Sequence, residues 1–471
     1  MIFLRKSALL LAALLIGQTH YSQNKKTPKS SSAEFWLTTA DKSVLFEKQP
    51  PIVFGSTSNS NPRITVDNSK TFQEMDGFGY CLNGGSATLI SKMGASERKA
   101  LLTELFATNA NNIGISVLRL SIGASDLDAS VFSYNDLPSG ETDPELKKFS
   151  IENDRRTGLI SVIKEILAIN PKIQFIGSPW SAPTWMKTNN HTKGGSLKPE
   201  YYDAYAHYFV KYIQAMKAEG IVIDAITIQN EPLHPGNNPS MYMEAKDQAE
   251  FVKKSLGPIF KSAKIKTKII VYDHNCDKPE YPLEILNDPE AKKYVDGSAF
   301  HLYGGEITAL TKVHDAHPDR NVYFTEQWTG GPGDFPKDLK SNIQHQVIGA
   351  PNNWAKSVLQ WNLAADPKYD PHTDQGGCTS CMGAITIDGS KVTRNVAYYI
   401  MAHPAKFIRP GSKRISSNVI ENLPNVAYKT PNGKTVLLVL NTGTDQNFNI
   451  SANGKTFEAH LKSGSVATFI W

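Results

Sequence analysis

Between Phe72 and about His403 the chain alternates short β-rich runs with longer helical patterns, and the number of repeats is what limits the possible folds. The β-rich runs are Gly77–Asn83, Ile115–Ile122, Gln174–Trp180, Asp224–Asn230, Lys268–His274, Gly297–Tyr303, Asn321–Gln327 and Ser357–Asn362. Helical stretches such as Glu152–Ile169, Tyr201–Glu219, Ala245–Ser262 and Ile307–His317 separate them. In Tyr201–Glu219 the residues Tyr205, Tyr208, Phe209, Tyr212, Ile213 and Met216 recur at three- and four-residue steps, which gives one buried face. Strands alternating with helices build a parallel sheet, and eight of them suit a closed (β/α)8 TIM barrel better than an open doubly wound sheet. The α/β barrel is expected over residues 72–405.

The flanks have a different texture. Phe35–Ala40, Ser43–Phe46 and Ile64–Val66 read as strands before the barrel. Val426–Tyr428, Val436–Leu440, Asn447–Ile450, Thr456–Leu461 and Val466–Trp471 follow it, with Asn432-Gly433 and Asn453-Gly454 as hairpin turns. Residues 35–71 and 406–471 are therefore expected to form one antiparallel β-sandwich built from both chain ends. Before them, Arg5-Lys6 leads into nine apolar residues, Ala8 to Ile16, and a polar exit, Gln18 to Gln23. That order describes a secretory signal peptide over residues 1–22, cleaved near Ser22 or Gln23, followed by a flexible Lys/Ser-rich leader to residue 34. Nine apolar residues are too few to cross a bilayer as a helix. The expectation is export, to the periplasm or beyond if the source is bacterial, with no transmembrane span.

Four cysteines follow, the first at Cys81, so no lipid-bearing cysteine stands behind the signal. In an exported protein Cys378 and Cys381 read as a small disulfide rather than half a zinc site, because no second ligand pair stands nearby. The formal charge is only +5, from 50 Lys and Arg against 45 Asp and Glu, and two of the positive charges lie in the signal. So small a surplus gives no nucleic-acid surface. The 12 histidines form no metal-binding motif, and no metal or cofactor is called for.

Chemistry in such a barrel collects at the C-terminal ends of the strands. Gln229-Asn230-Glu231-Pro232 closes the fourth run and Thr325-Glu326-Gln327-Trp328 the seventh. Strands four and seven stand across the mouth, so Glu231 and Glu326 face one another. Two opposed carboxyls are what glycoside hydrolysis requires: one protonates the departing oxygen, the other attacks the anomeric carbon or activates water. Asn230 is placed to donate to a sugar 2-hydroxyl, and Tyr303, ending the sixth run, to the nucleophile.

These segments, with Phe72–Gly79, Leu118-Arg119-Leu120-Ser121 and Asp126, Ser178–Thr188, His301-Leu302-Tyr303, Trp361-Asn362-Leu363 and Lys406–Ser412, make the chain resemble glycoside hydrolase family 30. The resemblance implies Glu231 as acid/base and Glu326 as nucleophile of a retaining enzyme. It also implies that Asp126, Trp180, Asn230, Tyr303 and Trp361 contact the innermost sugar. Arg119 is either a support for that subsite or a structural ion-pair partner, and His301 either a ligand or an orienter of one. The two indoles stack on a pyranose or pack the core. Asp273 and His274 are expected to line a neighbouring subsite.

The substrate class the resemblance implies is a β-glucoside, as oligosaccharide, polysaccharide or glycolipid. The segment Gly376–Gly383 departs from the lysosomal glucosylceramidase pattern and favours a β-1,6-glucanase. Glucosylceramide hydrolysis and exo-acting β-glucosidase or β-xylosidase activity are the alternatives within the family. A catalytically dead carbohydrate-binding protein is the alternative outside catalysis, and it predicts a missing glutamate. Oligomeric state is not legible.

Overall fold

The computed structural model describes residues 32–56 and 59–471. The expected signal segment and residues 23–31 of the expected leader lie outside them. Eight parallel strands close a barrel in which each is hydrogen-bonded to the next in the chain and the last to the first. They are β1 (Gly77–Cys81), β2 (Val117–Ser121), β3 (Gln174–Ser178), β4 (Ala225–Thr227), β5 (Lys268–Cys276), β6 (Val295–Gly305), β7 (Asn321–Glu326) and β8 (Ala355–Asn362). Each falls on one of the eight β-rich runs read from the sequence. The expected helices are also present, with interruptions. Glu152–Ile169 is two helices broken at Gly158, whose φ of 90° only glycine adopts freely. Ala245–Ser262 carries a π-helical stretch over Val252–Leu256.

The barrel is filled in layers. Val117, Ile176, Ala225, Ile270, Ala299, Tyr323 and Leu359 form one closed apolar cluster in its interior, one side chain from each of β2 to β8. On β1 the corresponding space is left by Gly79, where a Cβ would lie 1.8 Å from the Val117 carbonyl oxygen. Because strand side chains alternate faces, the next inward place on each strand is two residues further on. Those places hold Arg119, Ser178, Thr227, His301, Thr325 and Trp361, so a polar layer sits directly on the apolar one.

The second unit takes strands from both chain ends, in the order Leu45–Val53, Ser32–Thr38, Val466–Ile470, Thr435–Leu440, Asn425–Lys429, Lys413–Ser417, Arg63–Glu74, Gln446–Ala452 and Lys455–Leu461. An antiparallel bridge from Gly55 to Thr456 brings the first and last of these together. The sheet thereby folds over a core that includes Ile64, Leu437, Phe448, Phe457 and Phe469.

Three details differ from the expectation. The first strand begins at Ser32, inside the segment read as leader, and the third runs on to Glu74 because it pairs with Lys413–Ser417, a strand with no apolar alternation to announce it. The pairing of Arg63–Val66 with Asn449–Ala452 is parallel, so the sheet is not wholly antiparallel.

Helix Val396–Phe407 joins the two units. Its His403 is fully buried, with Nδ1 2.9 Å from Thr468 Oγ1 and Nε2 2.9 Å from Thr38 Oγ1, so it links the barrel to both chain ends. Burial lowers its pKa from 6.5 to about 3. A lowered pKa means that the unfolded chain takes the proton first, so the contribution of His403 is complete above pH 6.5 and is lost as the pH falls. Urea-unfolding free energy should therefore decline between pH 6.5 and 4, by up to about 1.4 kcal/mol per unit from this residue. His403→Gln should flatten that slope.

Candidate active site

The strand ends surround a cavity of about 370 Å³ lined by Asp126, Trp180, Asn230, Glu231, Tyr303, Glu326 and Trp361, together with His234, Asn237, His274, Asn275, Trp328 and the two sulfurs' residues Cys378 and Cys381. The two glutamates meet in it. One carboxylate oxygen of each and a ring nitrogen of His301 all lie within 4.8 Å of one another.

Local backbone geometry aims these groups. Glu231 follows β4 with φ 47°, a left-handed conformation disfavoured for a non-glycine residue and held here by its N–H donating to the Asp273 carbonyl at 3.0 Å. In β5 both Tyr272 and Asp273 have positive φ, and the strand's register to β6 slips between Tyr272 and His274. The Tyr272 N–H freed by this bulge donates to Gln248 Oε1 at 2.9 Å. A regular strand would put Tyr272 inward, two residues after Ile270; the bulge puts Asp273 there instead.

Asp273 is the hub beneath the cavity. Its Oδ2 accepts from Arg119 Nη2 (2.8 Å), Ser178 Oγ (2.8 Å) and Thr227 Oγ1 (2.6 Å). Its Oδ1 accepts from Thr325 Oγ1 (2.6 Å) and faces His301 Nε2 (3.1 Å). Arg119 spreads over the floor, donating also to Asn230 Oδ1 (2.7 Å) and to Glu326 Oε2 (2.5 Å), with its guanidinium 4.8 Å from the Trp180 ring centre. The other Glu326 oxygen accepts from the Tyr303 hydroxyl at 3.0 Å. Glu231 Oε1 faces His301 Nδ1 at 3.2 Å, while Oε2 has only Asn237 at 3.4 Å.

Residues 75–408 match the glycosyl hydrolase family 30 TIM-barrel domain, and residues 411–469 the family 30 beta sandwich domain. The chain belongs to glycoside hydrolase family 30. An endo-1,6-beta-D-glucanase of Aspergillus fumigatus is 32% identical over 492 aligned positions, covering 97% of this chain and 98% of its own. One of Neurospora crassa is 35% identical over 75% of each chain. A solved endo-beta1,6-glucanase superimposes with a TM-score of 0.87 at 33% identity, covering 93% of this chain and 99% of its own.

In this family 30 hydrolase the site residues read from the sequence are all brought together, but at two depths. Asp126, Trp180, Asn230, Glu231, Tyr303, Glu326 and Trp361 line the cavity. Arg119 and His301 do not: both are fully buried below it and hold carboxylates rather than sugar. Asp273 lines no neighbouring subsite either, because the bulge turns it under the floor, whereas His274 does reach the cavity. Trp180 and Trp361 stack on each other, with ring centres 5.2 Å apart, as well as facing the cavity. Ser178, Thr227, Thr325 and Gln248 escaped the sequence reading. A signal for the first three was available: a hydroxyl two residues beyond a buried apolar residue at the end of a strand.

Burial alone raises every carboxyl here. For Asp273 the charge of Arg119 and the contact with His301 reverse this and hold it well below the usual range. Burial lowers His301, but Glu326, Asp273 and Glu231 more than reverse it, to about 9, so it is an imidazolium at neutral pH with Nδ1–H and Nε2–H both donating. Two cations, Arg119 and His301, then face three carboxyls, and one shared proton on the glutamate pair makes the buried cluster neutral.

Burial keeps Glu326 above its ordinary value despite His301 and Arg119, while His301 outweighs burial at Glu231 and lowers it. The hydrogen bonds weigh the other way: both Glu326 oxygens accept at 3.0 Å or less, one from a permanent cation, whereas Glu231 accepts from the imidazolium at Oε1 but at Oε2 only from Asn237, 3.4 Å away. The pair titrates as a unit, so a bound sugar that alters either environment moves the one proton between them. Asp126 is raised to about 8, by burial first and then by the charges of Glu326 and Glu231.

Glu231, His301 and Glu326 are also the donor types of a metal site. Arg119 against Glu326 and the imidazolium between the glutamates already supply positive charge at that point, which opposes a cation.

The disulfide expected between Cys378 and Cys381 is formed, with Cα atoms 5.6 Å apart. Its segment braces one wall of the cavity. Thr373 N–H donates to the Asp126 carbonyl (2.9 Å), Asn238 Nδ2 to Asp374 O (2.8 Å), Lys193 Nζ to Gln375 O (2.9 Å) and Gly331 N–H to Ser380 O (2.7 Å). Loops after β2, β3, β4 and β7 thus converge on it.

Asp273→Asn should leave Arg119 partly uncompensated and cost roughly 3–5 kcal/mol in unfolding free energy. In whatever folds, the alkaline limb of kcat/KM should move to lower pH, because His301 loses a group that raises its pKa. Reduction of the disulfide, or Cys378→Ser with Cys381→Ser, should raise KM more than it lowers kcat, measured by initial rates with and without reductant.

Proposed function

We propose that the enzyme cleaves the chain of a β-1,6-linked glucan from within, by double displacement with retention at the anomeric carbon. The observation that carries the mechanism is the close approach of Glu231 and Glu326, whose nearest oxygens lie within 4.8 Å. Such a gap leaves no place for a water between carboxyl and sugar, whereas inverting enzymes keep about 6.5–9.5 Å. The β-1,6 linkage is supported by the relatives, since endo-1,6-glucanases align along nearly the whole chain.

In this reading Glu326, aligned by Arg119 and Tyr303, attacks C1 of the sugar held by Asp126, Asn230 and the indole pair. The bond from C1 to the leaving O6 breaks as that oxygen takes the proton of Glu231 Oε2. Positive charge that builds on the ring is met by the carboxylate of Glu326, and Asn230, fixed by Arg119, donates to the 2-hydroxyl as it does so. Water then enters on the leaving-group side, gives a proton back to Glu231 and attacks C1, releasing Glu326 and a product of unchanged configuration. Tyr303 remains protonated throughout, because burial and the neighbouring carboxylates hold its pKa well above 10.

Export belongs to the same proposal. It is supported by the charged and apolar start of the chain and by the Cys378–Cys381 bridge, which persists in oxidising compartments.

The test is product analysis on a linear β-1,6-glucan, glucosylceramide and β-1,4-xylan. Oligosaccharides of several lengths should appear early from the glucan alone, with the β-anomer formed first by NMR. Release of glucose from the lipid with none from the glucan would overturn the reading. Glu326→Gln should lower kcat by at least about 10³-fold, and azide should restore turnover of Glu231→Ala, on substrates with good leaving groups, as a β-glycosyl azide. Prior dialysis against a chelator should leave the rate unchanged.

A further inference from the structure

A larger cavity, of about 660 Å³, lies at the seam between barrel and sandwich, at the end of the barrel away from the glutamates. Pro171 and Lys172, which lead into the N-terminal end of β3, form one wall, and the hairpin around Asn432 and Lys434 forms the other. Lys406 and Arg409, from the segment that closes the barrel, reach in from between them. Trp36 and Phe407, with ring centres 4.5 Å apart, give it an aromatic floor.

Four cations therefore line one concavity, and the single carboxylate on its wall, Glu34, is already paired with Lys48 at 3.1 Å. Among the described residues none of the four is ion-paired. Lys406 Nζ donates to the carbonyls of Ala110 and Asn112, and Arg409 Nη1 to those of Gly114 and Ala405, which leaves Nε and Nη2 of Arg409 without a protein acceptor. Burial lowers the pKa of both, Arg409 to about 10, with no anion acting against it. A partly buried guanidinium and three ammonium groups around one cavity create a positive potential that favours an anion from outside the chain.

We propose that this cavity is a second saccharide site, specific for a sugar carrying an oxyanion, either a phosphate ester or a uronate. The guanidinium edge of Arg409 takes the oxyanion in a forked contact, Lys172 and Lys434 close over it, and the apolar face of the ring rests on the aromatic floor. Placed at the far end of the barrel, the site holds acidic glycan without competing for the catalytic cavity.

Isothermal titration of the intact enzyme with glucose 6-phosphate, glucuronate, inorganic phosphate and glucose tests this. One or both sugar anions should bind with a Kd of about 1 mM or tighter, more tightly than inorganic phosphate, and more weakly as salt rises. The two arms identify which oxyanion is preferred. Lys172→Glu with Lys434→Glu, both on the exposed rim, should weaken that binding at least about tenfold while the melting temperature and the rate of glucan hydrolysis stay as in the parent. Any glucose heat, which reports the catalytic cavity, should be the same in both proteins. No binding of either sugar anion, or binding unaffected by the two reversals, would overturn the proposal. Inorganic phosphate binding as tightly as the sugar anions would overturn its saccharide part.

Discussion

The buried pair of Arg119 and Asp273 is the constraint on which the rest of the site depends. Both side chains are wholly withdrawn from solvent at 2.8 Å, an arrangement that is costly unless nearly every polar atom is satisfied. Here the carboxylate accepts from three hydroxyls, the guanidinium and His301, and the two terminal nitrogens of the guanidinium also donate to Asn230 and Glu326, which leaves its Nε–H as the one donor of the pair without an acceptor among the described residues. Three groups are thereby fixed to one unit: Glu326, Asn230 and the His301 imidazolium beside Glu231. Glu326 and His301 stand on strands whose inward residues are set by the apolar layer below, and Asn230, just beyond β4, is tied down by its N–H donating to the Pro179 carbonyl at 2.8 Å.

Two levels of the barrel thus divide the work. The wall, from Asp126 to Trp361, lines the cavity and is shaped by loops. The layer underneath, with Arg119, Asp273 and His301, sets charge and orientation and is buried away from the cavity. Removing a wall residue should be felt chiefly by the substrate, whereas removing a floor residue disturbs the protonation of groups two contacts away. The disulfide segment belongs to the first level: it ties loops from four strands into one wall without reaching the floor.

Most of this was legible in the sequence because it depends on period and spacing. Eight β-rich runs gave the barrel, and the acidic residues at the ends of the fourth and seventh gave the opposed glutamates. Cys378 and Cys381 could be paired because only two residues separate them. What escaped were the places where the period fails. Asp273 reads as a strand-end residue on the rim, and nothing local shows that Tyr272 and Asp273 adopt positive φ and move the carboxylate under the floor. Likewise Lys413–Ser417 has no alternation of its own, since its register is imposed by the long strand ending at Glu74. Arg119 and His301 were found as site residues, but their depth was not, because depth is a property of the closed barrel rather than of any one strand.

The sandwich has its own implication. Strand Ser32–Thr38 is held on one side by Leu45–Val53 and on the other by Val466–Ile470, the last strand of the chain. A polypeptide made amino end first must therefore keep that early strand with one edge unpaired until Val466–Ile470 emerges. All eight barrel strands lie between the two in the chain, so the second unit is completed only after the whole barrel has been made.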